Sequence, residues 1–347
     1  AIGRLLAERG AGADTVSGGE IYRALRMGIP PERIIFAGVG KTDREIAEGL
    51  QAGILLFNVE SEGELLAINR IAGGLGKVAP IALRVNPDVD PQTHPYISTG
   101  LKKAKFGIAG EEIIRLYRLA CDLPHVEPIG IQMHIGSQLV KVKPIADAVA
   151  KVVELYRQLQ AEGLRLRYLD IGGGMGIRYR DEDPEGPEVL ARVVLPLVRE
   201  TGCTLLLEPG RYIVGNGGGL LTRVLYVKDN GLKKFVIVDA GMNCLIRPAL
   251  YDAYHEIYAV RQTDEQETVD VVGPICESGD FFAKDRRVAR VQPGDLLLIG
   301  SAGAYGFTMA SNYNTQPRPA EVLIHGSSTR IVRRRETYED LVRGEEL

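Results

Sequence analysis

A (β/α)8 barrel followed by a mostly antiparallel β domain is the fold this sequence predicts, on three observations. Short β-rich runs alternate with amphipathic helical stretches through the first two thirds of the chain. The strand ends carry polar residues and glycines. Beyond Gly215-Asn-Gly-Gly-Gly219 the pattern changes to strands and turns. Such alternation calls for parallel strands joined by crossover helices. Chemistry-bearing residues at strand ends, as in Leu205-Leu-Leu-Glu-Pro-Gly210, favour a barrel over an open doubly wound sheet.

The predicted strands lie around Asp14 to Ser17, Ile34 to Ala37, Ile54 to Val59, Ile81 to Asn86, Gly130 to Gly136, Leu169 to Gly172 and Leu205 to Glu208. Between them fall helical stretches at Gly19 to Met27, Asp43 to Ala52, Glu62 to Ala72, Glu111 to Cys121, Pro144 to Glu162 and Pro187 to Glu200. That makes seven strands, where a closed barrel of this class has eight. The opening Ala1-Ile-Gly-Arg-Leu-Leu-Ala-Glu-Arg9 reads as an amphipathic helix without a capping residue, the middle of a βα unit whose strand is expected upstream. The barrel domain is placed at residues 1–215 and the β domain at 216–347, with strands near Leu220 to Val227, Phe235 to Asp239, Glu256 to Val260, Thr268 to Val272, Asp295 to Ile299 and Glu321 to His325.

At 347 residues with 45% apolar content, the chain can fill two ordinary cores. A formal net charge of −3 and a pI near 6.1 argue against a general nucleic-acid binder. No apolar run approaches the roughly 20 residues that span a bilayer, and no leader-like segment opens the chain, so a cytoplasmic protein without a membrane partner is expected. Cys121, Cys203, Cys244 and Cys276 lack metal-ligand spacing and read as reduced thiols, and no metal site is expected.

Gly273-Pro-Ile-Cys-Glu-Ser-Gly-Asp280 sets a thiol beside a carboxylate in a glycine-flanked turn, although a lone cysteine is more often a small buried hydrophobe. Gly172-Gly-Gly-Met-Gly176 follows a strand directly, so its amides either cradle a phosphate or form a flexible turn. It lacks the third glycine of the dinucleotide fingerprint, and Gly40-Lys-Thr42 lacks the upstream glycine of a P-loop, which argues against NAD and NTP sites. Glu208-Pro-Gly-Arg211 ends a strand with a carboxylate and a guanidinium, suited to an anion or to a capping ion pair. His134 ends another strand, as a structural residue or as a flat ring for stacking. Arg247 and Tyr251 lie one helical turn apart, and Tyr305 sits in a glycine-framed loop.

His134-Ile-Gly-Ser-Gln138, Glu208-Pro-Gly-Arg211, Met242-Asn-Cys-Leu-Ile-Arg-Pro-Ala-Leu-Tyr251, Gly273 to Asp280 and Ala304-Tyr-Gly306 occur in an order that resembles the diaminopimelate decarboxylase family of fold type III pyridoxal-phosphate enzymes. Gly12-Ala-Asp-Thr-Val-Ser-Gly-Gly-Glu20 is similar too, and the match runs over nearly the whole chain. The resemblance implies a homodimer with shared sites that decarboxylates meso-diaminopimelate to L-lysine, the last step of lysine biosynthesis. It implies that His134 stacks on the cofactor and that Gly173, Gly174, Gly210, Arg211 and Ser137 hold its phosphate. Glu208 would face the pyridine nitrogen and so support the ring as electron sink. Cys276 would be the catalytic acid. Arg211 and Arg247 would receive the distal carboxylate, Glu277 the distal ammonium, and Tyr251 and Tyr305 would complete the pocket, Tyr305 touching cofactor as well. Cys276 and Glu277 would come from the neighbouring subunit.

One departure stands out: no residue matches the family's cofactor lysine, which sits at the end of the first barrel strand. Lys41, Lys102, Lys103 and Lys105 fall in other segments. Two readings follow, a preceding segment that carries strand and lysine, or a truncated chain. The rival functions are an ornithine or arginine decarboxylase of the same fold, an alanine racemase, for which a catalytic tyrosine is expected in place of Cys276, and a catalytically silent pyridoxal-phosphate-binding protein. A basic diamine product gives no use for two arginines.

Overall fold

The computed structural model describes residues 1–90, 105–261 and 263–346; Lys102 and Lys103 lie outside them. The chain divides into two compact units, Ala1–Gly176 with Pro184–Pro209, and Ile177–Asp183 with Gly210–Leu347. The second unit thus takes in a short excursion, 177–183, from the middle of the barrel sequence.

In the first unit, α1 (Ile2–Ala7) precedes β1 (Ala13–Thr15), α2 (Gly18–Arg26), β2 (Ile34–Phe36), α3 (Asp43–Ala52), β3 (Leu56–Val59), α4 (Glu62–Gly74) and β4 (Ala79–Asn86). Then come β5 (Ile108–Ala109), α5 (Gly110–Asp122), β6 (Val126–Gln132), α6 (Lys143–Ala161), β7 (Tyr168–Asp170), α7 (Pro187–Arg199) and β8 (Thr204–Leu206). Local chemistry sets the helix starts. Ser17 and Ser61 accept the amides of Glu20 and Glu64, and Thr42 with Glu45 closes a capping box at α3. Gly53, at φ 73°, ends α3 in the left-handed region that glycine enters without strain.

All strand pairings in this sheet are parallel, in the order β1-β2-β3-β4-β6-β7-β8, with β5 paired to β4. The sheet's two faces differ in chemistry. Ile34, Phe36, Phe57, Ile81, Leu83, Ile131 and Leu169 share a core with helix residues such as Ile46, Leu65, Ile113, Val149 and Val194. The alternate residues Ile35, Leu56, Ala82 and Ile129 form a smaller cluster on the other face. Towards the strands' C-terminal ends that second face turns polar: Arg84, Gln132 and Asp170 stand in register on β4, β6 and β7.

The second unit contains α8 (Gly210–Val214), β9 (Leu220–Asp229), β10 (Lys234–Val238), α9 (Arg247–Tyr251), β11 (Ile257–Ala259), β12 (Gln266–Val272), β13 (Phe281–Ala289), β14 (Leu296–Ile299), β15 (Glu321–His325), β16 (Ser328–Arg333) and α10 (Tyr338–Leu341). Its main sheet runs β11-β14-β9-β10-β12-β13, antiparallel except for the β10–β12 pair, around a core that includes Val236, Val271, Phe282 and Leu297. Two strands of this unit escaped the sequence reading, as did the two-residue β5 of the first unit. β13 is an edge strand whose middle, Lys284-Asp-Arg-Arg287, breaks apolar alternation, and β16 is exposed along most of its length in a two-stranded ribbon with β15.

Candidate functional site

In the first unit the predicted residues gather beyond the C-terminal ends of β6, β7 and β8. His134 follows β6 by two residues, and the Gly173 amide donates to its Nδ1 at 3.2 Å. An accepting Nδ1 requires a neutral ring there, and burial, reinforced by the Arg84 charge, pushes the His134 pKa down to about 4. Gly172, at φ 70°, donates its amide to Asp170 Oδ1 at 2.9 Å. A Cβ at Gly173 would stand 2.1 Å from the Glu208 carbonyl oxygen, and one at Gly174 2.3 Å from that of Gly136, so the backbones approach as only glycine permits. Ser137, half-buried, follows in the same loop as His134.

Glu208 is held by Gln132, whose Nε2 donates to its Oε1 at 3.3 Å. Burial, then repulsion from Asp170 and Asp14, raises its carboxyl well above the usual range. Asp170, buried, is likewise raised by burial. The cations nearby are already engaged: Arg84 Nη1 bonds Glu60 at 2.8 Å, and Lys41 Nζ bonds Glu64 at 2.6 Å. Among the described residues Asp170 Oδ2, Gln132 Oε1 and the Asn58 amide have no hydrogen-bond partner. Carboxylates in excess of free cations, with unsatisfied polar atoms beside them, fit a bound group bearing a protonated ring nitrogen.

In the second unit two guanidiniums are buried around one phenol. Arg211, on α8, donates from Nη1 to the Tyr179 hydroxyl at 2.6 Å, and its guanidinium carbon lies 4.9 Å from the Tyr305 ring centroid. Arg247, the first residue of α9, stacks 4.6 Å from the Tyr179 ring and reaches His255 Nε2 at 3.1 Å. Burial pushes the Arg247 pKa down and the neighbouring Arg211 adds to it, and among the described residues Arg247 forms no ion pair. Only 7% of Arg247 is exposed. Tyr251 closes α9, half-buried. Tyr305 adopts φ 56°, a left-handed backbone that an aromatic residue takes only under constraint. Gly210 opens α8 with open space around its would-be Cβ.

Cys276 and Glu277 lie apart on an exposed turn. The Cys276 amide donates to Asn314 Oδ1 at 2.7 Å, and Asp280 clamps the turn by accepting the Ile275 amide at 2.6 Å. Sequence reasoning missed Asp170, Gln132, Asn58 and Arg84. Each is a polar residue within or at the end of a mostly apolar strand, a break in pattern that could have exposed them. It also missed Tyr179 and His255, which no local pattern marks.

A curled parallel sheet with glycine-tight turns at its carboxyl ends, followed by an antiparallel unit, is the build of a pyridoxal-phosphate enzyme, and residues 1–215 match the family described as "Pyridoxal-dependent decarboxylase, pyridoxal binding domain". Within that class the chain belongs to the diaminopimelate decarboxylase family. It is 53% identical to a diaminopimelate decarboxylase of Aquifex aeolicus, covering 98% of this chain and 81% of that protein. It is 52% identical to one of Pseudomonas aeruginosa, covering 99% and 83%. The crystal structure of the Helicobacter pylori diaminopimelate decarboxylase complexed with L-lysine superposes with a TM-score of 0.95 at 46% identity, covering 99% of this chain and 86% of that one.

Proposed function

We propose that this chain decarboxylates meso-diaminopimelate to L-lysine and carbon dioxide as a pyridoxal-phosphate-dependent carboxy-lyase. The observation that carries the substrate is Arg247, a buried guanidinium without an ionic partner among the described residues. A dicarboxylic diamine keeps one carboxylate through the reaction and can supply that partner, whereas a simple basic diamine cannot. The lysine complex of the Helicobacter pylori relative supports the same product end.

When bound, pyridoxal phosphate supplies an electron sink for the carbon that loses carbon dioxide. Glu208 holds a proton on the ring nitrogen, where the crowded carboxylates favour a cation. The neutral His134 ring stacks on the cofactor, and the amides of Gly173, Gly174 and Gly210, the Ser137 hydroxyl and Arg211 hold its phosphate. Arg247, with Arg211, receives the distal carboxylate, Glu277 the distal ammonium, and Tyr251 and Tyr305 flank the substrate. Cys276 delivers a proton from Sγ to the vacated carbon. Cys276 and Glu277, both exposed in the single chain, complete the site of the other subunit in a homodimer. Free thiols at all four cysteines support a reducing, cytoplasmic setting.

Replacing Cys276 with alanine tests this reading. Cofactor binding should persist while carbon dioxide release from meso-diaminopimelate falls roughly 10²- to 10⁴-fold. Unchanged turnover would remove the proton donor, and faster release from ornithine than from diaminopimelate would overturn the substrate.

A further inference from the structure

His255 is completely buried and its ring is hydrogen-bonded at both nitrogens: Nδ1 to the Gly300 carbonyl at 2.9 Å and Nε2 to Arg247 Nη1 at 3.1 Å. A guanidinium only donates and a carbonyl only accepts, so Nε2 carries the lone pair and Nδ1 the proton. The same ring meets Tyr179 edge-on, with centroids 5.5 Å apart at 79°. Tyr179 in turn presents its face to Arg247 and its hydroxyl to Arg211. Two cations are therefore oriented by two neutral side chains.

The structure assigns His255, seconded by Tyr179, as the positioning residue that aims Arg247 at the substrate's distal carboxylate. A neutral acceptor fixes the guanidinium without consuming its charge, so the full attraction is left for the ligand; a carboxylate in its place would satisfy Arg247 internally. His255 thereby favours ligands with a carboxylate at that end over the corresponding plain diamine. This inference rests on the assignment of Arg247 to the distal carboxylate.

The test is calorimetric binding of L-lysine and of 1,5-diaminopentane, the same chain without a carboxylate, to the cofactor-loaded protein. Arg247→Ala comes first: if it weakens lysine no more than diaminopentane, the reading of Arg247 itself fails. Given a selective loss there, His255→Asn, which keeps a donor for Gly300 and lacks the acceptor for Arg247, should weaken lysine about tenfold relative to diaminopentane. His255→Gln, whose longer amide restores an acceptor, should recover most of that ratio. The KM for meso-diaminopimelate should follow the same pattern, with kcat changed far less. An unaltered ratio in His255→Asn, or equal losses for both ligands in both variants, would overturn the positioning role. In the unmutated protein, ¹⁵N shifts should show a neutral His255 ring protonated at Nδ1 with and without lysine; an Nε2-protonated ring would also overturn it.

Discussion

The Asp280 carboxylate accepts the Ile275 amide through Oδ2 at 2.6 Å, one residue ahead of the Cys276 thiol, while its Oδ1 accepts the Met242 amide at the same distance. One buried side chain thus binds the thiol-bearing turn to the segment that leads into α9. The turn has no room to re-form around a substitute, since a Cβ at Gly273 would lie 2.5 Å from Asp280 Oδ2 and from the Gly241 Cα.

Asp280→Ala leaves both amides without their charged acceptor, and a loss of about 2–3 kcal/mol is expected from hydrogen bonds of this kind. Urea unfolding measures it. Carbon dioxide release should fall further than the folded fraction does, because the turn carrying Cys276 is loosened even in folded molecules.

Gly174 and Gly210 separate backbone fit from the proposed cofactor contact. Gly174→Ala combines φ 101° with a Cβ 2.3 Å from the Gly136 oxygen, so stability should drop by about 2 kcal/mol or more as well as cofactor affinity. At Gly210 a Cβ meets nothing within 4 Å. Gly210→Ala should leave stability within about 0.5 kcal/mol and weaken pyridoxal phosphate alone; spectroscopic titration of the cofactor beside thermal unfolding reads both.

Much of this architecture was legible because strand and helix periods differ, and because caps such as Ser17, Thr42 and Ser61 mark where helices start. All seven anticipated strands of the first unit form within a few residues of their expected spans. What stayed hidden was non-local. Whether Asp170 or Arg84 serves as a buried charge depends on neighbours that only strand register brings alongside. Tyr179 joins the second unit from an excursion in the barrel sequence, and His255 acquires its role from Gly300 and Arg247, partners its own neighbourhood does not reveal. β13 was missed because an edge strand need not alternate.

Lys41 is a structural cation. Its Nζ donates to the carbonyls of Gly38 and Asn58, each at 2.7 Å, and to Glu64, with 1% of the side chain exposed. An ammonium so enclosed has no lone pair to offer a carbonyl substrate or cofactor. Lys41→Met strands the Glu64 carboxylate and should cost about 3–5 kcal/mol in urea unfolding, with much of the loss recovered when Glu64→Leu is added. Borohydride reduction of the cofactor-loaded protein, read by peptide mass, should leave Lys41 unmodified.

His255 makes stability depend on acid. Burial is the largest influence on its ring and lowers its pKa from 6.5 to about 4. Between those values the unfolded chain binds a proton that the folded protein refuses. The stability linked to this residue is therefore complete above pH 6.5, declines as the pH falls through that window, and is gone below about 4. At 1.36 kcal/mol for each pH unit, the loss reaches about 2 kcal/mol by pH 5. His255→Gln cannot titrate, so the gap between wild-type and variant unfolding free energies should narrow by that amount between pH 7 and pH 5. Parallel curves for the two proteins would mean that the ring takes up its proton equally in both states. Nε2 would then be a donor facing the Arg247 guanidinium, contrary to the tautomer set by Gly300 and Arg247.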